Sequence, residues 1–181
     1  MNADARYTGA AIALHWTGAI LIFLGAALGL FMTGLALSPE KLRYYAWHKW
    51  IGITVFLVAA ARLAWRAATP PPPLPQATPL WQARAAHAVH ALLYLLMLAI
   101  PLSGWLYSSA TGVSVAYLNL VPLPNLVSKD KALAQALLVV HQSLNFTLAM
   151  VVAAHVGAAI KHQWIDRDGV MARMLPRRRA S

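Results

Sequence analysis

The sequence contains no cysteine and few charged residues, and both absences narrow the classes of protein to consider. Without cysteine, disulfide bonds, thiolate haem ligands, Cys-ligated iron–sulfur clusters and covalent c-type haem attachment are all excluded. Charged residues make up 11% of the 181 residues, whereas a soluble domain carries about 25%. Hydrophobic residues make up 60% of the chain, which indicates a membrane protein.

Acidic residues are scarce: 5 Asp and Glu stand against 15 Lys and Arg, for a net charge of +10. The cations lie at the ends of apolar runs and in the C-terminal tail, so we interpret them as anchors at lipid headgroups and expect no nucleic-acid partner. The sequence also lacks an acid–base pair, an activated nucleophile, a glycine-rich phosphate loop and a flavin motif.

Four apolar runs predict an all-α integral membrane four-helix bundle that forms a single domain over residues 1–181. We place the transmembrane spans at about 10–36, 46–66, 86–109 and 136–161. The prolines at 70–73 predict a stiff connection between the second and third spans. The segment 110–135 is the one long loop, and Pro101 is expected to kink the third span.

The distribution of basic residues predicts the orientation of these spans. An even number of spans places both termini on one side. The cations on that side are Arg6, Arg62, Arg66, Arg84, Lys161, Arg167, Arg173, Arg177, Arg178 and Arg179. Those on the opposite side are Lys41, Arg43, Lys49, Lys129 and Lys131. The positive-inside rule therefore predicts that both termini are cytoplasmic.

Two histidines on the fourth span are the most informative feature of the chain. His141 and His155 lie on nearly one helix face, ~21 Å apart along the axis. A histidine inside a membrane span is costly and usually functional. This spacing predicts axial ligands for two haems stacked across the membrane.

The other histidines sort by depth into possible partners for these two. A bis-histidine b haem needs one imidazole on each side of the iron, and His48 is the other histidine at the outer level, so it pairs with His141. At the inner level, His155 has three candidate partners: His15 on the first span, and His87 and His90 on the third. Depth alone matches His90 to His155 and does not settle the choice.

Four glycines also fit a bundle that holds a flat macrocycle between its helices. These are Gly25 and Gly29 on the first span, Gly52 on the second and Gly157 on the fourth. Close helix–helix packing by small residues explains the same positions.

The chain resembles the bacterial cytochrome b561 family along its whole length. The matching elements are Leu14-His15-Trp16, His48 with Gly52, His87-x-x-His90, His141 with His155, and the tail from His162-Gln163-Trp164 to Met174-Leu175-Pro176-Arg177. The resemblance implies a multi-pass protein of the bacterial inner membrane with two haem b groups. It also implies that the iron ligands are His15 with His155 (inner haem) and His48 with His141 (outer haem).

The resemblance further implies an activity. Family members are associated with superoxide oxidation and electron transfer to ubiquinone, which implies a superoxide:ubiquinone oxidoreductase. The polar groups available to contact the quinone, or a haem propionate, near the inner haem are His162, Trp16, His87 and His90. At the outer face, Lys129 and Lys131 belong to a basic group that would steer an anion, although headgroup anchoring explains the same charges.

Two other functions remain open at this point. A non-catalytic di-haem membrane anchor could serve a dehydrogenase or hydrogenase, with the apolar part of the 110–135 loop as its docking surface for a partner protein. A four-span transporter with interfacial histidines is the third possibility.

Overall fold

Four long helices make up most of the chain. The structure, a computed structural model, describes residues 6–75 and 78–176. The helices are α1 (Gly9–Thr33), α2 (Pro39–Ala68), α3 (Leu80–Thr111) and α4 (Lys131–Lys161). All four are long and apolar enough to cross a membrane, which confirms the predicted all-α membrane fold. The cations Arg177, Arg178 and Arg179 lie outside the described residues.

The helices and the predicted spans differ at their ends, because polar caps rather than hydropathy end a helix. The Ser38 side chain accepts a hydrogen bond from the backbone of Lys41, so α2 begins well before the predicted start at 46. The Asp130 side chain caps α4 in the same way, so α4 begins at Lys131, five residues before the predicted start at 136. By contrast, α1 ends at Thr33, short of the predicted 36.

Successive helices are antiparallel neighbours, so the bundle has two ends. The connection from α1 to α2 and the loop 112–130 lie at one end, which we call the hairpin end. The start of α1, the end of α2, the start of α3 and the segment 162–176 lie at the other, which we call the terminal end. Helix α1 packs on α2, α2 on α3 and α3 on α4.

The loop 112–130 is more ordered than the sequence predicts. Strands β1 (Val115–Tyr117) and β2 (Val121–Leu123) pair in an antiparallel hairpin. Its turn uses positive φ values at Leu118 and Asn119, the geometry of a tight hairpin connection. The indole of Trp50 donates to the carbonyl of Ala116, which holds the hairpin against α2.

The hydrophobic core lies midway between the two ends. Val55 and Ala59 of α2 pack with Met97 of α3, and Leu96 and Ile100 of α3 pack with Leu148 of α4. Many other large apolar side chains face outward, as expected when lipid surrounds the bundle. The core therefore separates two layers of polar side chains, one toward each end.

Candidate functional site

Two histidines from non-consecutive helices face each other at the hairpin end. The ring centres of His48 (α2) and His141 (α4) lie 6.3 Å apart, with the rings nearly perpendicular at 84°. Two metal–nitrogen bonds of about 2.0 Å, together with the ring radii, separate two imidazoles on one metal ion by about 6 Å. The spacing of this pair therefore fits an iron held between the two rings.

Both rings of this pair are oriented by hydrogen bonds at Nδ1. The Nδ1 of His48 lies 3.0 Å from the carbonyl oxygen of Gly25. The Nδ1 of His141 lies 3.1 Å from the carbonyl oxygen of Ile100 and 2.9 Å from the hydroxyl of Ser103. When Nδ1 donates to these carbonyls, Nε2 is the unprotonated nitrogen and is available as a ligand.

Two glycines make room for these rings. A Cβ atom at Gly29 would lie 3.1 Å from Cε1 of His48, and one at Gly104 would lie 3.1 Å from Cε1 of His141. Gly29, one of the glycines predicted to make room in the bundle, lies against the ring of His48. At Gly52 and Gly157 a Cβ would meet nothing within 4 Å, so open space lies beside both positions.

Three histidines meet at the terminal end. The ring centres of His15 (α1) and His155 (α4) lie 6.2 Å apart, nearly the spacing of the hairpin-end pair. His90 (α3) lies closer to His155, at 5.3 Å, and its Nδ1 is 2.7 Å from the carbonyl oxygen of Ala86 on its own helix. The Nδ1 of His15 is buried and has no hydrogen-bond partner within the described part of the chain. Leaving such an atom unpaired costs about 1–3 kcal/mol, so the site fits an additional group.

The other residues predicted near the quinone do not form one cluster. Trp16 lines a cavity of about 640 Å³ with Arg6, Tyr7 and Pro176, and none of the histidines lines it. His162 lies in a π-helical turn after α4, with its Nδ1 2.6 Å from a carboxylate oxygen of Asp168. His87 is exposed on α3, and His90 faces His155.

The C-terminal segment covers the terminal end and touches this cavity. The indole of Trp16 donates to the carbonyl of Met174 over 2.9 Å, and the guanidinium of Arg6 donates to the carbonyl of Leu175. Arg173 donates to the carbonyl of Pro73, which joins the segment to the connection after α2. These contacts join residues that are far apart in the sequence, so local sequence patterns do not predict them.

The two lysines predicted to steer an anion lie at the hairpin end. The stem of Lys129 packs against Gly112, whose left-handed conformation ends α3. Lys131 is the first residue of α4, and both lysines are exposed. The structure therefore places two solvated cations on the same end as the His48–His141 pair.

The fold and the histidine layers define the class of protein: a multi-pass membrane protein in which histidine side chains from different helices face each other at both ends. The sequence profile of the family described as prokaryotic cytochrome b561 matches residues 6–177, so the chain belongs to that family. It is therefore a membrane electron-transfer protein with b-type haem, which confirms the family, the electron-transfer class and the bacterial membrane location predicted from the sequence.

Curated relatives cover nearly the whole chain. Cytochrome b561 homolog 2 of Escherichia coli (strain K12) is 34% identical, over 96% of this chain and 93% of its own length. Cytochrome b561 homolog 1 of the same organism is 31% identical, over 96% and 99%. A Yersinia pestis protein named probable superoxide oxidase CybB is 27% identical, over 96% and 98%.

Proposed function

We propose that the chain is a di-haem b cytochrome that moves electrons from a donor at the hairpin end to ubiquinone at the terminal end. The observation that carries the proposal is the pair of matching ring separations, 6.3 Å for His48–His141 and 6.2 Å for His15–His155. Each pair would ligate one haem iron, and the haems supply one-electron redox chemistry across the bilayer.

The distances support His15 rather than His90 as the partner of His155. The His90–His155 separation of 5.3 Å is short for two imidazoles on one iron. The ring of His90 is also bonded back to its own helix. In this proposal His90 lines the terminal-end site, where it can contact a propionate or the quinone, without binding the iron.

The terminal end offers groups for ubiquinone reduction. Trp16 lines the cavity of about 640 Å³ at the membrane boundary, where a quinone ring could enter from the bilayer. His162, whose Nδ1 lies 2.6 Å from a carboxylate oxygen of Asp168, is a further polar group at the same end. Ubiquinone takes two electrons and two protons to become ubiquinol, so this end would also supply the protons. His87 is a further candidate contact.

For the donor we propose superoxide, arriving at a periplasmic hairpin end while both termini are cytoplasmic. The positive-inside distribution supports the orientation, and the name of the Yersinia pestis relative supports the substrate. Two superoxide anions, each oxidised to O2, supply the two electrons for one ubiquinone. The exposed cations Lys129 and Lys131 would attract the anion by long-range electrostatics.

Rapid mixing of the purified protein with superoxide tests this proposal. Haem reduction should be fast, and added ubiquinone should reoxidise the haems and restore turnover. Haem that superoxide does not reduce, in a protein that dithionite reduces fully, would contradict the superoxide step.

The alternative of a non-catalytic anchor subunit has one observation in its favour. The tip of the β1–β2 hairpin exposes apolar side chains, with Leu120 79% and Val121 53% accessible. Such a tip could dock a partner dehydrogenase or hydrogenase. Reduction of the haems by a co-purifying partner, but not by superoxide, would favour this function.

A further inference from the structure

Two cations within α2 have no carboxylate partner. Lys49 and Arg62 both lie inside a predicted membrane span, and within residues 6–75 and 78–176 neither forms an ion pair. A cation removed from water is costly unless an anion compensates it. Their surroundings therefore indicate a missing negative charge.

The ammonium group of Lys49 is held inside the bundle, although its side chain extends toward the hairpin end. Its Nζ donates to the hydroxyl of Ser108 on α3 over 2.8 Å, and Ser108, which is 2% exposed, donates onward to the carbonyl of Val113. A lysine that only snorkels would end its ammonium group in the headgroups or in water, whereas that of Lys49 ends on a buried hydroxyl. Lys49 follows His48 on α2, and its ammonium group is within electrostatic range of the His48 ring.

Arg62 occupies the matching position at the terminal end. Its guanidinium carbon lies 5.2 Å from the ring centre of Tyr94, a cation–π contact that leaves the charge without a counter-ion. The guanidinium is also within electrostatic range of His15 and His155. Each histidine pair therefore has an uncompensated cation of α2 near it that is held against α3 by a neutral side chain.

We propose that Lys49 and Arg62 each bind a propionate carboxylate of the haem at their own end of the bundle. The inference rests on the proposed function, because it requires a haem at each histidine pair. Haem b carries ionised propionates, which supply the negative charge that both cations lack, and charge-assisted hydrogen bonds to carboxylates are among the strongest in proteins.

The consequence is a site-specific control of redox potential. Reduction adds one negative charge to the iron, and a nearby cation favours the reduced form. Removing Lys49 should therefore lower the midpoint potential of the hairpin-end haem alone. Removing Arg62 should lower that of the terminal-end haem alone.

The test is a potentiometric titration of the full-length holoprotein, in which optical and EPR signals distinguish the two haems. The variants are Lys49→Gln and Arg62→Gln, with the charge-retaining Lys49→Arg and Arg62→Lys. The controls are Lys41→Gln, whose ammonium bonds the carbonyl of Leu35 away from the histidines, and Arg84→Gln, at the exposed start of α3 at the terminal end. We expect each Gln variant to lower the reduced-to-oxidised ratio of one haem about tenfold at fixed potential, equivalent to about 59 mV. The charge-retaining variants should stay near wild type.

The possible results separate this inference from the proposed function. A wild-type protein without two haems would defeat the proposed function itself. If the wild type holds two haems, loss of one haem from a Gln variant but not from its charge-retaining partner supports the inference. Unchanged potentials, equal shifts of both haems, equal shifts in the controls, or haem loss from both kinds of variant would overturn it. So would a Lys49→Gln protein in which only the rate of reduction by superoxide falls, because Lys49 would then serve the donor.

Discussion

The two histidine layers differ in how completely the protein fixes them. At the hairpin end, His48 and His141 each hold a hydrogen bond at Nδ1, and a glycine makes room for each ring. At the terminal end three imidazoles cluster, and the Nδ1 of His15 has no partner in the described residues. The hairpin-end pair is thus preorganised by the bundle. The terminal-end cluster contains three imidazoles, one more than a bis-histidine iron would need. Its His15 ring is not oriented by a hydrogen bond at Nδ1 within the described residues.

This difference suits the two proposed roles. A site that only relays an electron benefits from ligands fixed by packing and hydrogen bonds. A site beside a reducible quinone needs further polar groups to contact it, and His90 and the His162–Asp168 pair lie at that end. If the two ends have these different roles, substitutions at the two ends should have different effects.

The largest expected effect is loss of the hairpin-end haem. His48→Ala or His141→Ala removes one of the two proposed axial ligands, and no third histidine in the described residues lies beside this pair to replace it. Haem content should fall from about two to about one per chain in pyridine haemochrome analysis. Loss of both haems from a folded variant would show that the two sites are not independent.

Only one of the two candidate partners of His155 should be required for the terminal-end haem. His15→Ala should lose the terminal-end haem, whereas His90→Ala should keep both haems, because its ring is too close to His155 to share an iron. The measurement is again haem content, combined with the low-spin EPR signals. The reverse pattern would assign the iron to His90, and would show that the ring separations were misleading.

A smaller effect on haem retention is expected from Gly104→Ala, which crowds the ring of His141. In Gly104→Ala the new methyl group would lie 3.1 Å from Cε1 of the ring, so the ring must shift away from its hydrogen bonds. Groups that orient a ligand are worth roughly 10–100-fold in metal affinity, and we expect about tenfold faster haem loss from this end. Gly34→Ala is the control, because its methyl group would meet only the carbonyl of Phe31, at 3.8 Å. Equal haem loss from both variants would remove the argument for preorganisation.

The smallest effect concerns the exposed lysines of the hairpin end. The rate of haem reduction by superoxide should fall as salt rises, because the Debye length is only ~8 Å at physiological ionic strength. Reversing Lys129 and Lys131 to glutamate should slow this bimolecular step a few-fold and leave haem content unchanged. A rate that changes neither with salt nor with these substitutions would indicate that the lysines are headgroup anchors.

The fold and the hairpin-end pair were largely predictable from the sequence. Spans follow from long apolar runs because hydropathy dominates membrane insertion. The proximity of His48 to His141 follows from depth, because only these two histidines lie at that level. Helix ends were less predictable, since Ser38 and Asp130 extend α2 and α4 beyond the apolar part.

The terminal-end site could not be resolved from the residues alone. The depth of a residue along the membrane normal does not say how its helix is rotated or tilted. Depth therefore could not decide whether His15 of α1 or His90 of α3 faces His155 at the spacing of an iron site. For the same reason the sequence did not predict that Ser103 and Gly104 of α3 contact the ring of His141. Nor did it predict the hydrogen bond from Lys49 to Ser108. These features depend on which faces of two helices meet, and the local sequence pattern does not determine that.

The central claim is that each histidine layer holds one bis-histidine haem, and haem stoichiometry tests it most directly. Pyridine haemochrome analysis of the purified wild-type protein, normalised to quantitative amino-acid analysis, should give about two haems per chain, both low-spin. A value near one, or a high-spin second haem, would contradict the account of two matched histidine pairs.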